Sequence, residues 1–302
     1  MPDKPAAEWP IDESLVRSLL VRQAPRLVAP DRALRLAAEG WDNAVWRLGD
    51  DLAVRLPRRE LAIPLIRHEQ RILPVLESLI APTGVHVPAP VFAGEPDAGF
   101  PRPWSVVPWF PGGAGLGIPR SRRTGWSDPL ARALAALHVP ADADHPVNPF
   151  RGGALATRDE TVRGRLASLR ERADPGSLAR AQQAWDAACA APPWPGPPVW
   201  IHGDLHPGNL VADDTRLVAI VDFGDVTAGD PAYDLAIAWL AFDASGRAAF
   251  RAHLRGRYDD AVWVRARGWA AAVTLMLLAH SDDNPAYAAL GADALEELTH
   301  EG

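Results

Sequence analysis

The sequence is short of several things, and each shortage excludes something. It holds one cysteine, Cys189, in 302 residues, so neither an intrachain disulfide nor a cysteine-based zinc site is possible and a reducing compartment is allowed. That cysteine falls in an Ala-rich helical stretch, where a small packing residue is expected. Lysine occurs once, as Lys4; a basic side made almost wholly of arginine points to a high-GC genome, not to a function. A net charge of -7 leaves no basic stripe to displace phosphate counterions, which argues against a nucleic-acid partner and is compatible with a cationic small molecule. No run of about 18 apolar residues occurs, and the opening MPDKPAAEWPIDES has no apolar signal core. A cytoplasmic protein with no membrane partner is the expectation. There is no internal repeat, and the length suits two modest domains better than one.

What is present reads as two different halves. Asp12 is placed to cap a helix running to about Gln23. From Leu34 the period becomes that of strands: Leu34 to Ala38, Ala44 to Leu48 and Leu52 to Leu56, joined by short polar turns, form an antiparallel meander. A helix over Leu65 to Leu79 must tolerate Pro74 by a kink or a break. Pro88 to Ala93 and Trp104 to Val107 complete a five-stranded sheet. Beyond Pro108 the Gly-rich stretch to Gly117 reads as a hinge. After it come helices over Asp128 to His138 with Asp128 as cap, Arg158 to Ala173, Ser177 to Ala190, Tyr233 to Asp243, Gly246 to Arg255, Asp259 to His280 and Pro285 to Leu298. The fold class is α+β. Residues 1–107 form an N-terminal sheet lobe with an added N-terminal helix, 108–117 the hinge, and 118–302 a mainly helical C-terminal lobe.

Chemistry concentrates in Val199 to Asp230. Two apolar runs, Val199 to Ile201 and Leu217 to Val221, each lead into acidic residues. Asn209 follows Asp204 by five positions and Asp222 follows the second run. One carboxylate to orient a hydroxyl, with an amide and a second carboxylate to hold Mg²⁺, is the set that phosphoryl transfer needs. His202 and His206 lie four apart, but Pro207 and Gly208 preclude a regular helix there and no third ligand has zinc spacing.

Together the meander, the helix with Glu69, the hinge, HGDLHPGNL and VDFGD resemble the aminoglycoside phosphotransferase family of small-molecule kinases, over roughly residues 34 to 240. The resemblance implies a two-lobed, protein-kinase-like fold and transfer of the γ-phosphate of ATP or GTP to a small-molecule hydroxyl. It makes Asp204 the catalytic carboxylate, Asn209 and Asp222 the Mg²⁺ ligands, His202 a scaffold residue and His206 a pocket or packing residue. Asp225 becomes either a carboxylate near the substrate or a turn cap. Asp230 caps the next helix, and Asp234 ties it to the catalytic loop.

On the nucleotide side, Glu39 to Asn43 takes the place of the covering loop, with Gly40 supplying the turn and Asp42 and Asn43 the donors. Arg55 stands where the family commonly has lysine; it, or another cation such as Arg58, would reach the phosphates and the partner Glu69. Trp109 and Phe110 would wall the purine, with the backbone of Val107 to Phe110 reading its edge. Trp46, Trp104, Trp200 and Trp239 are expected in the core. An aminoglycoside-type antibiotic is the expected acceptor; Asp243, Asp259, Asp260, Asp282 and Asp283 are either carboxylates of an acidic pocket for it or, the reading favoured for any one of them, ordinary helix caps and surface charges. A macrolide or a metabolite alcohol is the nearest alternative. A nucleotide-binding regulatory module that has lost catalysis is the alternative of another class.

Overall fold

The computed structural model describes residues 6–29, 32–281 and 284–300. The chain forms two compact units, one reaching Pro111 and the other formed from Gly112 onward together with Pro82–Val85.

In the first unit Asp12 accepts a hydrogen bond from Leu15 N (2.8 Å) and starts helix α1, Glu13–Gln23. Val16, Leu19 and Leu20 recur at helical spacing and are its buried face. Strands β1 (Leu34–Glu39), β2 (Asn43–Leu48) and β3 (Leu52–Pro57) follow as the meander. In β2 the inward residues Ala44, Trp46 and Leu48 alternate with half-exposed ones, as the two-residue period of a strand requires. Helix α2 (Ile63–Ile80) runs on past Pro74, burying Ile66, Ile72, Leu73 and Leu76. Burial of that face outweighs the hydrogen bond that proline removes.

Strand β4 is only Phe92–Gly94, shorter than Pro88 to Ala93, because Pro88 and Pro90 lack the N–H that a ladder needs. With β5 (Trp104–Pro108) it completes a five-stranded sheet in the order β1-β2-β3-β5-β4, every neighbour antiparallel. Phe100, Trp104 and Val106 join α1 and the meander in one core.

The second unit opens with β6 (Gly113–Ala114). Helix α3 covers Ser127–Leu137, and its start corrects one expectation. A 3-10 run, Arg120–Trp126, leads straight into it, so Asp128 lies inside the first turn and pairs with Arg132 (2.8 Å) instead of capping. Helices α4 (Asp159–Ser168) and α5 (Pro175–Ala190) follow, the latter capped by Asp174. Strand β7 (Val199–Ile201), strands β8 (Leu210–Asp213) and β9 (Arg216–Ile220), and β10 (Thr227–Gly229) then form two small sheets, β10-β7 and β6-β8-β9.

The expected single helix from Tyr233 is two short ones, α6 (Ala232–Leu235) and α7 (Ile237–Ala241), meeting at Ala236. Helices α8 (Ala244–His253), α9 (Asp260–His280) and α10 (Pro285–Glu297) complete the unit. Cys189 corrects another expectation: it lies on the exposed face of α5, while Ala184 and Ala188 face inward. Trp46, Trp104, Trp200 and Trp239 are all buried.

Helix α9 is long and apolar enough to cross a membrane by length and composition, yet 67% of its apolar window is buried within the protein. Its Arg265 donates to Asp230 Oδ2 at 2.6 Å. It is therefore the central helix of this unit, and α5 packs directly on it through a residue without a side chain. A Cβ at Gly268 would lie 2.1 Å from Ala188 Cβ. Gly268→Ala should force α5 away and cost about 1–3 kcal/mol, the usual penalty of overpacking. A urea midpoint equal to wild type would show that this contact is not tight.

Candidate active site

Strand β7 delivers the chain, fully buried, to a sharp turn at His202-Gly203-Asp204. Gly203 has φ +83°, and a Cβ there would stand 2.4 Å from the Asp225 carbonyl oxygen, so the turn requires glycine on both counts. A wholly buried carboxylate, Asp234, holds the turn: Oδ2 accepts from His202 N (2.7 Å) and Oδ1 from Gly203 N (3.1 Å). His138 Nε2 lies 3.2 Å from the same Oδ2, and its Nδ1 lies 2.7 Å from the Tyr258 hydroxyl.

The His202 ring is a brace. Its Nδ1 accepts from Asp204 N (3.2 Å), which leaves Nε2–H to donate to the Val221 carbonyl (2.9 Å). Asn209 Nδ2 donates to the Asp204 carbonyl (2.8 Å), and Val221 N donates to the Asn209 carbonyl (2.9 Å). The next residue, Asp222, takes the left-handed conformation (φ 65°, ψ 64°), rare for a residue with a side chain. One hydrogen-bonded chain thus carries Asp204, Asn209 and Asp222 on neighbouring strand ends. Because Asn209 spends its amide nitrogen inward, its Oδ1 is left as an acceptor.

The Asp204 carboxylate keeps 36% of its side-chain surface open. Burial of the rest would raise its pKa. The nearby His206 first, then Arg151 and His202, outweigh that and hold it at about 2. His206 Nδ1 accepts from Gly208 N (3.0 Å), its Nε2 lies 3.7 Å from Asp204 Oδ2, and its ring meets Tyr287 edge-on.

The Asp225 carboxylate is taken up by side chains of another loop. Arg151 Nε and Nη2 reach its Oδ2 at 2.9 and 2.7 Å, and Asn148 Nδ2 donates to its Oδ1 at 2.8 Å. Arg151 Nη2 also reaches Asp204 Oδ1 (3.3 Å), and its Nη1 donates to the Tyr233 hydroxyl (2.9 Å). Burial would lower the Arg151 pKa, but Tyr233, Asp204 and Asp225 more than offset it and the net shift is upward.

Arg151 and Asn148 carry no motif and stand 53 and 77 positions from the acidic residues they touch, so nothing in the sequence singled them out. Their loop is seated by a close backbone approach. Gly152 (φ +68°) lies so near Gly229 that a Cβ on Gly229 would be 2.6 Å from Gly152 Cα, and Thr227 Oγ1 donates to the Pro146 carbonyl (2.7 Å).

In the first unit Arg55 Nη1 and Glu69 Oε2 are 2.9 Å apart, both nearly buried. Arg58 is not available for that pairing: its Nη1 donates to the Gly40 carbonyl (2.6 Å). The covering loop closes by Gly40 N donating to the Asn43 carbonyl (2.8 Å), Asp42 pairs with Arg59, and Asn43 Oδ1 is buried without a partner. Val107 is buried in β5. The Trp109 N–H is already donated to Asp51 O (2.7 Å), Arg47 lies over the Trp109 ring (5.2 Å), and Phe110 stacks on His86 (6.1 Å).

The aspartates of the later helices take the helix-start roles that were the alternative to an acidic pocket. Asp243 and Asp259 are N-caps of α8 and α9, accepting from Gly246 N and Val262 N, and Asp260 is in the first turn of α9. Asp282 and Asp283 lie outside the described residues.

Comparison with known proteins agrees with this architecture. The family model described as "Phosphotransferase enzyme family" matches residues 33–269. The chain belongs to that phosphotransferase family. Among curated relatives, a homoserine kinase of Granulibacter bethesdensis is 37% identical over 127 residues, 41% of this chain and 38% of the relative. An aminoglycoside 3'-phosphotransferase of Escherichia coli is 30% identical over 112 residues, 37% of this chain and 41% of the relative. The chain thus spans about two-fifths of the length of these relatives. The GDP complex of wild-type aminoglycoside 2'-phosphotransferase-IIIa superposes with a TM-score of 0.66 at 18% identity, covering 95% of this chain and 98% of that one. That likeness is one of fold, a two-lobed kinase-like α+β architecture.

The charge state of Asp204 is open to direct test. Its folded pKa of about 2 lies below the ordinary 3.8, so its stabilising contribution is present above 3.8 and lost as pH falls through about 2. Wild type should lose stability relative to Asp204→Asn across that interval, followed by circular dichroism during acid titration. Parallel acid-unfolding curves would contradict the depressed value.

Proposed function

We propose that this protein is a Mg²⁺-dependent kinase of a small-molecule alcohol, moving the γ-phosphate of ATP or GTP to a hydroxyl. The observation that carries the reading is the hydrogen-bonded chain joining Asp204, Asn209 and Asp222. It presents one ionised carboxylate and two further hard oxygen donors from adjacent strand ends. Family membership supports it. So do the names of the curated relatives, a homoserine kinase and an aminoglycoside phosphotransferase, which are both phosphoryl-transfer proteins acting on small alcohols.

In this reading Asp204 aligns the acceptor hydroxyl and accepts its proton. A carboxylate with a pKa near 2 is a weak base, which suits a reaction whose loose transition state makes little early demand for proton removal. Asn209 Oδ1 and the Asp222 carboxylate fit Mg²⁺, a hard cation that takes oxygen ligands and keeps part of its shell for water and phosphate. Among the described residues no cluster of three or more His, Cys, Asp or Glu side chains could hold a metal, which disfavours a soft-metal cage. When bound, Mg²⁺ would neutralise charge on the phosphate oxygens. His202 and Asp234 act by holding the loop. His206, Arg151 and Asp225 set the charge around Asp204.

On the nucleotide side, Arg55 braced by Glu69 takes the phosphate-gripping role, its planar fork substituting for an ammonium. Gly40, Asp42 and Asn43 form the covering loop, with Asn43 Oδ1 free to accept. Val107, Trp109 and Phe110 flank the base. Since Pro108 has no N–H and that of Trp109 is committed to Asp51, Phe110 is the amide we assign to the purine edge. A protein that uses a nucleoside triphosphate works where that nucleotide is made, so a cytoplasmic setting goes with this reading.

Asp204→Ala should lower turnover by roughly 10² to 10⁴ with folding and nucleotide binding retained; near-normal phosphorylation by the variant would remove the residue from catalysis. Asp222→Ala should abolish the Mg²⁺-dependent part of nucleotide binding. Unchanged affinity for the magnesium–nucleotide complex in titration calorimetry would remove it from the metal site.

A further inference from the structure

Arg151 belongs to more than the carboxylate cluster. It also lines a cavity of about 350 Å³ in the second unit, shared with Arg158, Arg165, Asp225, Tyr233 and Trp269 and walled on one side by Val162 and Met276. Its charge is unbalanced. Asp225, the carboxylate on its lining, is already taken by Arg151 and Asn148. Arg158 donates one Nη2 to the Pro149 carbonyl (3.0 Å) and lies over the Phe150 ring (5.1 Å). Arg165 has its Nε buried with no partner. Among the described residues neither guanidinium has a carboxylate within 4.0 Å.

Burial first, then the neighbouring charges of Arg158 and Arg151, pull the Arg165 pKa down, the expected response of a cation held among cations. Of the aspartates of the later helices, Asp243 and Asp259 are helix caps and Asp260 lies in the first turn of α9. An acceptor bearing ammonium groups would therefore meet like charge here. A small anion would meet two guanidinium groups without a carboxylate partner, beside an apolar wall.

We propose that the acceptor is a small alcohol carrying a carboxylate or phosphate, held through that anionic group by Arg158 and Arg165, with its hydroxyl presented to Asp204. This rests on the kinase reading above. The acceptor oxygen forms a bond to the γ-phosphorus as the bond from that phosphorus to the bridging oxygen breaks. The nucleoside diphosphate leaves with that electron pair. The hydroxyl proton passes to the Asp204 carboxylate and on to solvent.

The test is nucleoside-diphosphate release and product phosphorylation by the full chain, with Mg²⁺ and ATP or GTP, on matched acceptors. These are glycerate against glycerol, glycerol 3-phosphate against glycerol, L-homoserine against its amide, and kanamycin. An anionic member should exceed its neutral partner and kanamycin by about tenfold or more in kcat/KM, the size expected of one charge-assisted hydrogen bond. The carboxylate and phosphate arms tell which anion is preferred.

On the preferred acceptor, Arg158→Met and Arg165→Met should each raise the acceptor KM about 10- to 100-fold while the nucleotide KM stays unchanged, and Arg165→Lys should recover part of the loss. Equal or better turnover of the neutral partners or of kanamycin, or an acceptor KM indifferent to both arginines, overturns the proposal while leaving the kinase reading intact. Absence of phosphate transfer to every compound and to water overturns both.

Discussion

The geometry of the loop that carries Asp204 depends on one buried carboxyl group. Asp234 has no exposed surface, so neighbouring groups must replace the water its oxygens lost. Two backbone N–H groups, those of His202 and Gly203, and the His138 ring do so. The bonds work in both directions. The carboxylate needs the turn to be satisfied, and the turn, with glycine at φ +83°, needs the carboxylate to stay closed. His202 extends the constraint by spanning from Asp204 N to the Val221 carbonyl, so the strand ends that present Asp204 and Asp222 cannot move independently.

Around that frame the electrostatics divide the acidic residues by task. Asp204 remains partly open and is kept ionised by His206 and Arg151; Asp225 is consumed by Arg151 and Asn148; Asp230 is consumed by Arg265 and by the N–H of Ala232. In the first unit the same economy produces the Arg55–Glu69 pair, where removing one partner would strand a nearly buried charge. Arginine does most of this work throughout. Its fork can serve two acceptors at once, as Arg151 does between Asp204 and Asp225.

Much of the fold was legible because its elements are specified locally. Alternation in β2, helical spacing in α1 and the cap at Asp12 are properties of a few adjacent residues, and all lie where the pattern put them. Asp204, Asn209 and Asp222 were legible for a related reason, since two short strands joined by a tight loop bring nearby sequence together. The misplacements came where distant packing overrode a local preference. Asp128 resembles a cap but follows a 3-10 run that continues into the helix. Cys189 looks like a packing residue but falls on the outer face of α5. Of Pro88 to Ala93 only Phe92 and Ala93 remain in a strand, because Pro88 and Pro90 lack N–H groups.

What the sequence determined by itself is the order of elements and the identity of the loop residues that bear oxygen donors, because both are encoded within stretches shorter than a single strand–loop–strand unit. What only the tertiary structure decided is which charges meet. Arg151 comes to Asp204 across 53 positions and to Asp225 across 74, carried by the approach of Gly152 to Gly229 and not by any motif. Arg158 and Arg165, seven positions apart on the chain, acquire meaning only because Tyr233 and Trp269, distant in sequence, line the same cavity. Net charge is only compatible with a cationic ligand, because a local field is set by the few groups within a Debye length of the site and not by the sum over the chain.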